Sequence, residues 1–133
     1  MAKNIILLIN ITLLFLISGC SGNLKPEKLR GKWKYVKVFN PEAFPPDSIS
    51  TMELQELKPY IEFTGDNKLQ IIWGGKVLSK GTYRIEADNI YFKEDLGNGQ
   101  TREFPFYVSS LSDKQIVFET VGADASKVTA VKE

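Results

Sequence analysis

Residues 60–94 read YIEFTGDNKLQIIWGGKVLSKGTYRIEADNIYFKE, and the rhythm of this stretch decides the fold class. Ile61 and Phe63 alternate with Tyr60, Glu62 and Thr64, after which Gly65-Asp66-Asn67 turns the chain. Leu69, Ile71 and Trp73 share one face of the next strand, which Gly74-Gly75 ends. From Lys76 to Glu86, Tyr83 and Ile85 fall on one side and Arg84 and Glu86 on the other; Asp88-Asn89 then turns into Ile90 to Glu94. Strand side chains alternate between faces, so a period of two marks half-buried strands. Gly, Asn and Asp at the breaks tolerate positive φ or cap the backbone locally, as tight turns require.

The pattern extends in both directions. Downstream, Leu96-Gly97-Asn98-Gly99 turns into Thr101 to Ser109, Asp113-Lys114 leads into Gln115 to Thr120, and Gly122 to Ser126 precedes Lys127 to Lys132. Upstream, Gly31 to Asn40 forms a first strand, with Trp33 and Tyr35 on one face and Lys32 and Lys34 on the other. Eight strands are therefore expected, seven of them after residue 59. Short turns join neighbours antiparallel, so the reading is all-β, an eight-stranded antiparallel up-and-down barrel in preference to a sandwich. Closure hides the strand edges that otherwise promote aggregation.

Residues 41–59 break the rhythm, with prolines at 41, 45, 46 and 59. Inside them lies a helix start: Ser50 can cap, Glu53 can reach back to it, and Ile49 can staple onto Leu54. Lys58 precedes Pro59 and is biased out of the helical region, so the helix should stop there. One short helix is thus expected between the first two barrel strands.

The chain opens with a cationic residue (Lys3), an apolar run from Ile5 to Ile17 and the small pair Ser18-Gly19, the order of a secretory signal. As a helix the run reaches only about 20 Å, at about 1.5 Å per residue. A bilayer core is about 30 Å thick, so a permanent span is not expected. Ile17-Ser18-Gly19-Cys20 resembles the bacterial lipobox. That resemblance implies a diacylglycerol on Cys20, cleavage after Gly19 and acylation (palmitate) of the new amino group. Two or more acyl chains suffice for stable anchoring. Ser21 stands where enteric bacteria read an aspartate as retention in the inner membrane, which favours the outer membrane and a domain facing the periplasm. The expected division is a signal peptide over 1–19, a lipidated cysteine and tether over 20–28, and a barrel domain over 29–133.

Removing 19 of the 133 residues leaves 114, enough for one domain that buries roughly two-thirds of its surface. With Lys3 gone, 16 Lys+Arg balance 16 Asp+Glu, and no basic block suggests nucleic acid. Cys20 is the only cysteine, so the domain folds without a disulfide. There is no histidine, which removes the commonest general base and the usual zinc ligand, and there is no glycine-rich phosphate loop. No cofactor or metal and no enzymatic activity are expected. Glu94-Asp95 with Asn98 does not match the spacing of a twelve-residue calcium loop and reads as a polar hairpin turn. Lys32, Lys34 and Lys37 read as a solvated strand face.

Leu29-Arg30-Gly31-Lys32-Trp33 resembles the Gly-x-Trp signature that opens the first lipocalin strand. Ile61-Glu62-Phe63-Thr64-Gly65-Asp66 followed by Gly81-Thr82-Tyr83 resembles the small lipocalin-like domains of lipoproteins from Bacteroidetes-type bacteria. The likeness spans residues 29–132. The chain departs from true lipocalins in being shorter, in having no long C-terminal helix and in lacking an arginine near its end to cover the tryptophan, with Lys127 and Lys132 as the nearest substitutes.

In lipocalins the first connection lies over the open end of the barrel. The resemblance therefore makes residues 41–59 a lid over an apolar cavity, with Phe44, Met52, Leu54 and Leu57 turned inward. Tyr35, Phe63, Trp73, Tyr83 and Phe106 would then line that cavity for a small hydrophobic or amphipathic ligand. Against this stands a filled core. An eight-stranded barrel is just wide enough for its own side chains or one small ligand. Trp33, Phe63, Trp73, Tyr83, Phe92, Phe104, Phe106 and Phe118 all offer themselves to one face. If most point inward, the helix is a plug and the barrel a scaffold for contacting an envelope protein. Tyr60, Tyr91 and Tyr107 fall on the opposite parity and are the candidates for such an interface.

Overall fold

The computed structural model describes residues 24–41, 47–121 and 125–133; Cys20 and Phe44 lie outside them. Among the described residues the order is α1 (Pro26–Leu29), β1 (Gly31–Asn40), β2 (Asp47–Ser48), α2 (Thr51–Leu57), β3 (Tyr60–Phe63), β4 (Lys68–Trp73), β5 (Lys76–Glu86), β6 (Asn89–Gly97), β7 (Gln100–Leu111), β8 (Gln115–Glu119) and β9 (Lys127–Lys132). Every pairing is antiparallel. From β3 to β9 each strand lies beside its sequence neighbour, β1 pairs with β3, and β1 also pairs with β9. That last pairing closes eight strands into a barrel, as the alternation predicted. β2 is a two-residue extension bonded to the end of β1 through Phe39–Ser48 and Asn40–Asp47.

Turn chemistry follows the sequence. Gly74 and Gly75 both hold positive φ, 60° and 78°, the geometry of the two-residue turns that suit a hairpin's twist. Asn98 and Gly99 do the same between β6 and β7 at 53° and 74°. As a result β6 runs on to Gly97, beyond the expected end at Glu94. At Gly81 the strands approach so closely that a Cβ would sit 2.0 Å from the Lys93 carbonyl oxygen, which leaves room for glycine alone.

One end of the barrel is sealed. Trp33 is fully buried, and its indole N–H donates to the Leu29 carbonyl at 2.7 Å. That bond ties α1 across the barrel floor, with Leu29 itself 0% exposed. The Lys132 ammonium lies 5.0 Å from the Trp33 ring centroid, so this lysine covers the tryptophan. Ile61, Phe63, Leu69, Tyr83, Ile90, Ile116 and Ala130 join the same cluster. Leu24, placed by the sequence in a flexible tether, is buried too, so the packed unit begins before residue 29. The apolar side chains of Leu24 and Leu29 account for the difference, because they find partners on the barrel floor.

The helix also follows its signals. Ser50 Oγ accepts the Glu53 N–H at 3.1 Å, and Lys58 ends α2 in a left-handed conformation with φ 46°. Its N–H bonds back to the Leu54 carbonyl at 3.0 Å. Leu54 is buried, and the Leu57 carbonyl accepts the Gly74 N–H at 2.9 Å, so α2 is fastened to the β4–β5 turn.

Two substitutions separate the roles of the floor side chains. Trp33→Phe strands the Leu29 carbonyl and should lower stability by about 1–3 kcal/mol. The Tyr83 hydroxyl is buried without a hydrogen-bond partner among the described residues, so Tyr83→Phe should leave stability unchanged or raise it. Urea midpoints of the two variants against the parent check both expectations.

Candidate functional site

At the opposite end the barrel opens to solvent in a recess above a layer of buried rings. A cavity of about 710 Å³ opens where β1, β4, β6 and β8 end and where β5, β7 and β9 begin. Connected rings lie at it, all but Phe118 on its lining. Tyr35 meets Trp73 and Phe118 edge-on at 6.1 Å each, Phe118 meets Phe106 at 5.3 Å, and Phe106 meets Phe92 at 5.6 Å and Phe104 at 5.5 Å. Val38, Ile71 and Val128 complete the apolar wall. Ring pairs of this kind contribute beyond the area they bury. Trp73 and Phe104, at the mouth, are half-buried.

Polar groups are few and grouped. Glu94 points inward from β6 and is 8% exposed. Its Oε1 accepts from Nε of Arg102 at 2.7 Å, and its Oε2 accepts from the Ser79 hydroxyl. Glu94 and Arg102 are register partners on β6 and β7, so one pleat turns both into the cavity. The Arg102 guanidinium also lies 5.3 Å from the Phe104 ring centroid. Thr120 and Ser126 stand on the same wall.

The structure distributes the expected site residues unevenly. Tyr35, Trp73 and Phe106 line the cavity together. Phe63 and Tyr83 do not; they pack on each other 5.3 Å apart in the cluster with Trp33 and Leu29. Met52 is 77% exposed, because it lies two positions from buried Leu54 and so falls on the other side of α2. Leu57 is half-buried against Gly74. No described residue of α2 lines the cavity, so the helix sits at the rim. Glu94, read as part of a hairpin turn, is a buried strand residue instead, since β6 continues past it. Ser79, Glu94 and Arg102 were missed because a charge on an inward parity looks like an interruption of the pattern.

The three outward tyrosines are not brought together. Tyr91 and Tyr107 sit on adjacent strands, but β4 and β5 separate them from Tyr60. Lys32 lies 4.5 Å over the Tyr60 ring and Arg84 4.2 Å over Tyr91, while Tyr107 is 43% exposed. A depression of about 530 Å³ lies on the outer wall, bordered by Lys68, Lys80 and Lys93, and is not enclosed by the barrel.

Fold and site together define a small antiparallel barrel with one sealed end and one aromatic-walled open end. Neither a protein-family model nor a curated protein matches this chain.

Tyr35 gives the cavity wall a signature in pH. Burial raises its phenol well above the ordinary 10.0. The unfolded chain releases that proton near pH 10 while the folded barrel keeps it, so the unfolded state binds fewer protons there. The stability tied to Tyr35 is therefore complete below pH 10 and is lost as pH rises above it. Urea midpoints taken from pH 8 to pH 11 should fall less steeply for Tyr35→Phe than for the parent.

Proposed function

We propose that this protein is a membrane-anchored, lipocalin-like lipoprotein that holds one small hydrophobic or amphipathic molecule in the open end of its barrel. The observation that carries the reading is the recess of about 710 Å³ at the open end of the barrel, bordered by edge-on and tilted aromatic rings. It lies within the roughly 300–1,000 Å³ of small-molecule pockets.

The anchor follows from the lipobox-like Ile17-Ser18-Gly19-Cys20. Leu24 belongs to the sealed end and Cys20 precedes it by four residues, a reach of at most about 14 Å. A lipid on Cys20 therefore tethers the barrel by its floor, and the mouth opens away from the anchoring membrane. Ser21 makes the outer membrane, facing the periplasm, the expected site.

A second reading has its own observation. Val77, Leu78, Leu96 and Val121 are each at least half exposed, and all stand at strand ends around the mouth. An apolar rim of this kind also suits an envelope protein that covers the opening. In that case the barrel is an interaction module.

Two measurements test the proposal. The intact mass of the membrane-extracted protein should show loss of residues 1–19 and addition of a diacylglycerol and an acyl chain, whereas Cys20→Ala should stay uncleaved and unacylated. Native mass spectrometry of the same preparation should reveal a bound small amphiphile. A mass free of ligand, with a stoichiometric envelope protein retained, would favour the second reading.

A further inference from the structure

The cavity holds a charge pair that an apolar pocket does not need. Glu94 and Arg102 occupy inward positions on neighbouring strands, among Phe92, Phe104 and Phe106, while Glu103, also on the lining, is held by Arg84 at 3.1 Å. Burying a carboxylate costs more than pairing returns unless its remaining lone pairs are satisfied, and an apolar pair of similar size is often at least as stable. Here both carboxylate oxygens are satisfied, one by Arg102 and one by Ser79. Each Glu94 oxygen thus carries one protein donor, and the Arg102 guanidinium balances its charge.

Arg102 has not spent its donors. Only Nε is engaged, and among the described residues neither Nη group meets a protein acceptor. The side chain is 63% exposed at the mouth, yet Glu94 and the Phe104 ring hold it to the cavity wall. A guanidinium presents its donors as a planar fork that matches the paired oxygens of a carboxylate or phosphate. A cationic head would have to compete with Arg102 for Glu94 and with Arg84 for Glu103. A neutral head would gain only uncharged hydrogen bonds, which are weaker.

We propose that the cavity selects a single-chain amphiphile whose head is an oxyanion, a carboxylate or a phosphate monoester. The Nη groups of Arg102 hold the head, and the tail lies against Tyr35, Trp73, Phe104 and Phe106. Glu94 is a positioning residue: it fixes the guanidinium plane and does not itself touch the ligand. This assignment rests on the ligand-binding reading above.

The test uses membranes that carry the full chain, photolabelled with an alkyl carboxylic acid bearing a diazirine in its tail, or with the matching alcohol. Labelled peptides are mapped by mass spectrometry and normalised to peptides of the outer wall. The acid should label the peptides containing Tyr35, Trp73 and Phe106 about tenfold more than the alcohol does, the weight of one charge-assisted hydrogen bond. Arg102→Gln should bring the acid down to the alcohol's level without changing alcohol labelling, and Arg102→Lys, which keeps the charge but not the fork, should leave the acid between parent and Gln levels. Competition by an unlabelled fatty acid against an unlabelled alkyl phosphate tells which oxyanion is preferred. Equal labelling of the parent cavity by acid and alcohol overturns the head-group assignment and leaves the cavity reading standing. Absence of cavity labelling by either probe overturns both. Should Arg102→Gln lose alcohol labelling through misfolding, the parent ratio and Arg102→Lys decide.

Discussion

Everything in this molecule depends on the antiparallel pairing of β1 with β9, from Trp33–Lys132 to Phe39–Lys127. It joins the first strand to the last and so removes both sheet edges at once. It also sets the bore. Eight strands enclose a space that side chains can just fill, so each layer is either packed or hollow according to what the inward residues supply. The same pairing brings the Lys132 ammonium over the Trp33 ring and lets α1 cross beneath it. The sealed floor is therefore a consequence of closure.

From that constraint the asymmetry of the barrel follows. At the floor, Trp33, Phe63 and Tyr83 share a buried cluster with Leu24 and Leu29, which come from outside the sheet. At the mouth no helix among the described residues supplies the corresponding plug. Leu54 and Leu57 fasten α2 to the core and to the β4–β5 turn, but neither reaches the cavity wall. The rings there lean on one another at edge-on and tilted angles and leave a recess above them. Glu94, Arg102 and Ser79 then give the opening polarity. A pocket with an apolar depth and a charged lip is what an amphiphile requires.

Much of this was legible from residue order alone. Alternation from Tyr60 onward, with Asn-Gly and Gly-Gly at the turns, carried the strand number and the barrel. Ser50 and Pro59 carried the limits of α2. Tyr35, Trp73 and Phe106 were recognisable as inward aromatics. Parity cannot report height along the barrel, however, so Phe63 and Tyr83 looked equivalent to them although they belong to the floor. Height depends on register and strand tilt, which close only through pairings distant in sequence. Met52 was a different kind of miss. Its two-residue offset from Leu54 places it on the other face of the helix, and helical periodicity alone would have shown it. Glu94 and Arg102 escaped because their meaning lies in facing each other across two strands.

The two tryptophans mark the two ends, Trp33 in the floor and Trp73 at the mouth, and together they report the asymmetry directly. Acrylamide quenching of Trp33→Phe, which leaves Trp73, and of Trp73→Phe, which leaves Trp33, measures how far each end admits a small solute. A filled floor and an open mouth predict efficient quenching of Trp73 and a shielded Trp33. Equal shielding of both would mean a barrel filled throughout, and would contradict the account.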